Sequence, residues 1–183
     1  VEVHGANGYL LDQFLQDGTN RRTDAYGGPL ENRARLLLEV VDECIAVWGA
    51  SRVGVHLAPR GDSHSMSDSN PAATFGYVAR ELGKRGIAFI CAREALGDNR
   101  IGPMLKEAFG GVYIANEKFT KESAQHTLDA GEADAVAWGK PFIANPDLPE
   151  RFKLDASLNE PDSSTFYSEG PSGYVDYPSL EAA

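Results

Sequence analysis

Five short apolar segments, each running into glycine or polar residues and each separated from the next by a helix-length stretch, constrain this chain most. They are VEVHGA (1–6), RVGVHLAP (52–59), IAFICA (87–92), GVYIANE (111–117) and ADAVAWGK (133–140). Between them the period changes from that of a strand to that of a helix. From Leu30 to Trp48 the apolar residues Leu37, Val41, Cys44, Ile45 and Trp48 recur at steps of three and four, with Glu39, Asp42 and Glu43 largely between them. An amphipathic helix with Cys44 on its core face is expected there. A second helix is expected from Pro71, with Asn70 as its N-cap. A third runs from Ile101 to Phe109, and a fourth starts near Thr120 with Glu122 in its first turn. PFIANPDLPERF reads as a short helical piece, and the tail from Leu154 to Ala183 as irregular.

Crossovers of this length join parallel strands. With right-handed connections, the result is a doubly wound sheet or an arc of a (β/α)8 TIM barrel, both of the α/β class. Polar and glycine residues collect after each strand: His4 to Tyr9, Arg60 to Asp62, Arg93 and Glu94, Asn116 to Lys118, Gly139 and Lys140. A barrel carries its chemistry on that rim, which favours the barrel. A whole barrel takes about 250 residues, so five strands make a partial one.

Composition narrows the function. A formal net charge of −10 argues against nucleic acid or an anionic membrane as partner. No run of apolar residues is long enough to suggest a transmembrane helix. Cys44 and Cys91 show neither C-x-x-C nor metal spacing, so two reduced thiols in a cytoplasmic protein are expected, and no metal. The chain opens without a signal-peptide pattern.

Two groups of residues carry chemistry. His4, Asn7 and Tyr9 lie within six residues at a strand exit. Two donors converging on one oxygen polarise a carbonyl or nitro group. A tyrosine phenol, with a reference pKa near about 10, donates a proton rather than taking one. Gly5 and Gly8 let the backbone turn so that these residues share a face. The same residues also suit loop capping with a tyrosine packed on the rim. In the second group, Ala115 and Gly139 end consecutive strands and are followed by Asn116 and Lys140. That pattern suits a phosphate at a helix N-terminus, and equally a pair of helix caps with a surface lysine. His56, alone in an apolar strand, reads more readily as a core or rim histidine than as a ligand. His64 and His126 read as solvated, and Asp12, Asp17 and Asp24 lack metal-like spacing. No lysine sits inside a strand, which disfavours a Schiff-base lyase.

The segments VEVHGANGYLLDQFL, TNRRTDAYGGPLENRARLLLEVV, VGVHLAP, DAVAWGKPFIANPDL and TFYSEGPSGYVDYP together resemble the old yellow enzyme family of FMN-dependent ene-reductases. Within that family the sequence is most similar to bacterial xenobiotic, nitrate-ester and N-ethylmaleimide reductases. The resemblance covers essentially the whole chain. It implies the carboxyl-terminal part of one FMN-binding barrel, strands four to eight over residues 1–183, with the N-terminal strands supplied by another segment or partner. It implies FMN as cofactor, NAD(P)H as electron donor, and a small electrophilic molecule (an activated alkene or a nitro or nitrate-ester compound) as substrate. By the same resemblance His4 and Asn7 bind the substrate's oxygen and Tyr9 gives the proton. Ala115, Asn116, Gly139 and Lys140 fall at the FMN phosphate, and Tyr167 lines the substrate cavity.

Two positions depart from the family pattern. His56 stands where the family usually has an arginine beside the flavin, so a protonated, titratable imidazole is expected to take its part. Lys140 stands where the family has a phosphate-binding arginine, giving a point charge without the bidentate fork. A catalytically inactive half-barrel, acting as a complementing subunit, is the alternative reading.

Overall fold

The computed structural model describes residues 1–61 and 63–180, so Asp62 and the last three residues of the tail lie outside the described residues. Five parallel strands form one sheet: β1 (Glu2–Gly5), β2 (Gly54–Leu57), β3 (Phe89–Arg93), β4 (Val112–Asn116) and β5 (Ala135–Ala137). Their spatial order follows chain order, β1-β2-β3-β4-β5. A doubly wound sheet reverses its strand order at a switch point, whereas winding in one direction is what a (β/α)8 barrel requires. The order therefore selects the partial barrel.

Four helices occupy the crossovers: α2 (Leu30–Trp48), α3 (Pro71–Arg85), α4 (Gly102–Phe109) and α5 (Lys121–Asp129). A six-residue helix, α1 (Leu10–Leu15), also follows β1, where the sequence pattern is too short to show a period. The helix ends follow capping chemistry. The Asn70 side chain accepts from the Ala73 amide, with Pro71 at the first helical position, and Gly86 closes α3 at φ 63°. Thr120 and Ser123 form a reciprocal capping box at the start of α5.

Side chains alternate across the sheet. Val3, Val55, Leu57, Ile90, Ala92, Tyr113 and Ala115 are buried on the helix side. Gly5 belongs to that side too: a Cβ there would meet the Leu37 side chain of α2 at 2.7 Å. Leu37, Val41, Phe75, Val78, Leu82 and Leu105 complete the core. Glu2, His4, Gly54, His56, Cys91, Arg93 and Asn116 face the other way, the inner face of a barrel.

One helix reading is corrected. Cys44 is only half-buried, and Trp48 is exposed. The buried residues of α2 are Ala34, Leu37, Leu38 and Val41. The helix carries a second apolar stripe, Leu36, Val40, Cys44 and Val47, which lines an open groove with Trp48. Periodicity alone did not say which stripe the sheet would cover.

The chain divides into two compact units, Val1–Ala137 and Trp138–Ala183. The second holds α6 (Lys140–Ala144), α7 (Leu148–Leu154) and a short 3-10 turn at Ser163–Thr165. Its organising residue is Arg151, 4% exposed. The guanidinium donates to the Asp147 carboxylate and to the carbonyls of Ser157 and Pro178. Asn145 and Asn159 exchange further bonds, so polar side chains pin the irregular tail where regular structure does not.

Candidate active site

The site starts from an Asn-Gly turn at the end of β1. Asn7 has φ 58° and Gly8 φ 76°, and the Tyr9 amide donates to the Ala6 carbonyl at 3.2 Å. Positive φ at both central residues is the type I′ signature, which favours this dipeptide. Glycine is required at position 8 for a second reason, since a Cβ there would lie 2.9 Å from the Ser63 carbonyl. The Gly8 amide also donates to the buried Asp12 carboxylate, whose other oxygen accepts from Gln16. The turn brings the His4 and Tyr9 rings to 5.5 Å between centroids, with Tyr9 57% exposed. His4, Asn7 and Tyr9 are thus brought together at the carboxyl end of the strands.

Asn7 is oriented by a residue the sequence reading left without a role. Arg93 Nη1 donates to Asn7 Oδ1 at 2.8 Å, and Arg93 Nε to Glu117 at 2.7 Å. A guanidinium only donates. The amide oxygen must therefore face Arg93, which leaves the Nδ2 hydrogens of Asn7 for an acceptor. Arg93 and Asn116 are register partners on β3 and β4, so this clamp sits on the inner rim. Arg60 forms a parallel one, donating to Glu94 at 2.6 Å, while Glu94 also accepts from the Ile101 and Gly102 amides at the start of α4. Arg60, Arg93, Glu94 and Glu117 line a cavity of about 250 Å³ with Lys118 and Leu96. Charged residues immediately after strands were the available signal, but which ones pair depends on register.

His64 corrects an expectation. It is exposed but not simply solvated: its Nδ1 lies 2.7 Å from the Asn7 carbonyl oxygen, and its ring is 5.4 Å from that of Tyr9. His126 is exposed on α5, as a solvated residue would be.

His56 lies directly beside His4 in the strand register, with ring centroids 5.4 Å apart. Burial pushes its pKa below the ordinary histidine value; Glu2, 3.9 Å away, opposes this, while His4 and Arg93 add to it. Burial thus works against the protonated, arginine-like group that the resemblance suggests. Its Nε2 is buried without a hydrogen-bond partner among the described residues.

Ala115 is buried on the helix side of β4, and Asn116 Nδ2 donates to the Ala137 carbonyl at 2.7 Å. In the second unit, Gly139 and Lys140 open α6. Among the described residues nothing lies within 4 Å of where a Cβ on Gly139 would stand, so space is open beside that backbone. A compact ammonium next to an open glycine backbone suits a phosphate group. Lys140 Nζ sits 5.4 Å from the Phe166 ring centroid. Lys140 and Tyr167, assigned to different subsites on sequence grounds, line one cavity of about 240 Å³ with Phe166 and Tyr174.

Residues 1–159 match the family described as NADH:flavin oxidoreductase / NADH oxidase. A putative 12-oxophytodienoate reductase 3 of Oryza sativa subsp. japonica is 46% identical over 99% of this chain and 50% of its own length. The 12-oxophytodienoate reductase 2 of Arabidopsis thaliana is 45% identical over 100% of this chain and 51% of its own. Among solved structures, morphinone reductase superposes with a TM-score of 0.93 at 48% identity, covering 98% of this chain and 50% of that one. The old yellow enzyme homologue from Zymomonas mobilis gives 0.94 at 42% identity, covering 98% and 53%. The chain spans about half the length of these relatives. With the strand order, the rim residues and the family match in agreement, this chain belongs to the NADH:flavin oxidoreductase family, that of the old yellow enzymes.

Proposed function

We propose that this chain forms the proton-delivering side of an FMN- and NAD(P)H-dependent reductase of activated alkenes or nitro and nitrate-ester compounds. The observation that carries the proposal is the clustering of His4, Asn7 and Tyr9 on one strand end, with Arg93 turning the Asn7 amide donors outward. FMN, when bound, supplies a hydride taken from NAD(P)H. His4 and the Asn7 Nδ2 group donate to the substrate's electron-withdrawing oxygen and draw electron density away from the double bond. The exposed Tyr9 hydroxyl gives its proton to the carbon next to the activating group. Lys140 and the open Gly139 backbone suit the FMN phosphate, a role the family resemblance also implies for Ala115 and Asn116. Tyr167, which lines one cavity with Lys140, is by the family resemblance the candidate for a wall of the substrate cavity.

The remaining strands of the barrel are proposed to come from a complementary segment, since the relatives are about twice as long and β1 and β5 each keep one unpaired edge among the described residues. Those same edges favour a second reading, a half-barrel without activity of its own until complemented.

Tyr9→Phe in the complete barrel tests the mechanism. Enone reduction is expected to slow by the factor a general acid supplies, about 10²–10⁴. Nitrate-ester reduction, which need not protonate carbon, is expected to change far less, and so is flavin bleaching by NAD(P)H. Stopped-flow traces for each acceptor give the comparison. Equal slowing of bleaching and enone reduction would make Tyr9 a packing residue.

A further inference from the structure

Glu2, His56 and Cys91 bring a carboxylate oxygen, an imidazole nitrogen and a thiol sulfur within 4.8 Å of one another on the inner face of the sheet. They come from three adjacent strands. His56 and Cys91 are direct register partners, and Glu2 stands two residues before His4, the partner of His56 on β1. We propose that these three side chains form a binding site for a divalent transition metal of the zinc type in the flavin-free chain, His56 being the one residue it shares with the flavin reading.

The donor set selects the class of ion. Sulfur and imidazole nitrogen exclude hard cations such as Mg²⁺ and Ca²⁺, which take oxygen, and a thiolate–imidazole–carboxylate trio suits zinc and its neighbours. The geometry is within reach. Metal–ligand bonds of about 2.0–2.3 Å at a tetrahedral angle put donor atoms about 3.4–3.6 Å apart. Glu2 and His56 already approach to 3.9 Å, so small rotations about side-chain bonds complete the contraction. Residues at these positions cannot drift apart independently, because the strand ladder holds their backbones.

Nδ1 is the imidazole nitrogen that faces Glu2, so it is the atom that would bind, with the ring proton carried on Nε2. On binding, the Cys91 S–H bond breaks, the sulfur–metal bond forms, and the proton passes to water. No oxidation state changes. Three protein ligands leave a fourth corner for water, the arrangement of an open rather than a closed site.

Cobalt tests the proposal in the full chain, purified with chelator and then desalted under a phosphine reductant. Co²⁺ titration is expected to give one ion per chain, a thiolate-to-cobalt band in the near ultraviolet and the intense visible bands of a four-coordinate ion. Zn²⁺ should bleach both. Cys91→Ser should abolish the near-ultraviolet band, whereas Cys44→Ser, changing the thiol on the outer stripe of α2, should leave it intact. Glu2→Gln and His56→Gln should each weaken binding by about tenfold or more. Circular dichroism would check that the variants fold. X-ray absorption at the cobalt edge of the unaltered chain, expected to show one sulfur among nitrogen and oxygen neighbours, needs no variant at all. A folded parent that binds no cobalt, a cobalt shell without sulfur, or a band that survives Cys91→Ser would overturn the assignment.

Discussion

Asp12 shows how a single side chain sets the active turn and what that costs. It is 1% exposed, and it accepts from the Gly8 amide at 2.9 Å and from Gln16 Nε2 at 2.8 Å. Burial raises its pKa above the ordinary aspartate value; the bonds from Gln16 and Gly8 and the charge of His4 pull the other way, but by less. The folded chain therefore binds this proton more tightly than the unfolded chain does. The stability this contributes is fully present below the unfolded value, near about 3.9, and is lost as pH rises through the folded one. Asp12→Asn keeps an oxygen for the Gly8 amide and removes the charge. In urea melts, the variant is expected to gain on the parent steadily as pH rises from about 4 towards 7. A parent that gained on the variant over that range would show the buried carboxylate to be net stabilising. Arg93 belongs at this scale too. Without it the Asn7 amide would be free to turn its oxygen to the side where the proposed function needs a donor.

At the scale of the element, the strands are tuned for what each face meets. Gly54 on β2 is covered by the ring of Phe89 on β3: a Cβ there would stand 2.3–2.6 Å from three ring carbons. The two residues are register partners, so the missing side chain of one makes room for the other. Gly54→Ala is expected to cost about 1–3 kcal/mol as overpacking. Adding Phe89→Leu should return part of that loss, read as a partial recovery of the urea midpoint. Strictly additive losses would mean that the ring is not what excludes a side chain at position 54. Helix α2 shows the converse. Its inner stripe is fully buried, while Val47 is 73% and Trp48 53% exposed on the outer one. An apolar helix face of this kind is what a neighbouring crossover helix of a longer barrel would cover.

For the whole molecule, the unpaired edges of β1 and β5, the outer stripe of α2 and the exposed Val112 on the inner face lead to one expectation. Unpaired strand edges template further pairing, and apolar patches associate. The 183-residue chain expressed by itself should self-associate in size-exclusion chromatography with light scattering, and should hold FMN weakly or not at all by absorbance. Supplying the complementary strands should restore both a defined mass and flavin retention. A monomeric, yellow, cooperatively melting preparation of this chain alone would count against the partial-barrel reading.

The sequence by itself determined the elements: five strands, four crossover helices, the cap at Asn70, a helix start near Thr120 and a turn at the glycines that follow the first strand. Each of these rests on local chemistry, whether periodicity, a side-chain oxygen within reach of an amide, or tolerance of positive φ. It also carried His4, Asn7 and Tyr9, because six residues of chain keep them together wherever the strand goes. Tertiary structure alone decided that the strands run in sequential order and not around a switch point, since that depends on which edges pair. It decided which stripe of α2 is buried, that burial disfavours a charge on His56, that Arg93 holds Asn7 across 86 positions of sequence, and that Glu2, His56 and Cys91 meet. Spacings of this size carry no local signal. The parallel register that brings such residues to one face is fixed by hydrogen bonds and burial along the whole sheet, and only the folded sheet contains it.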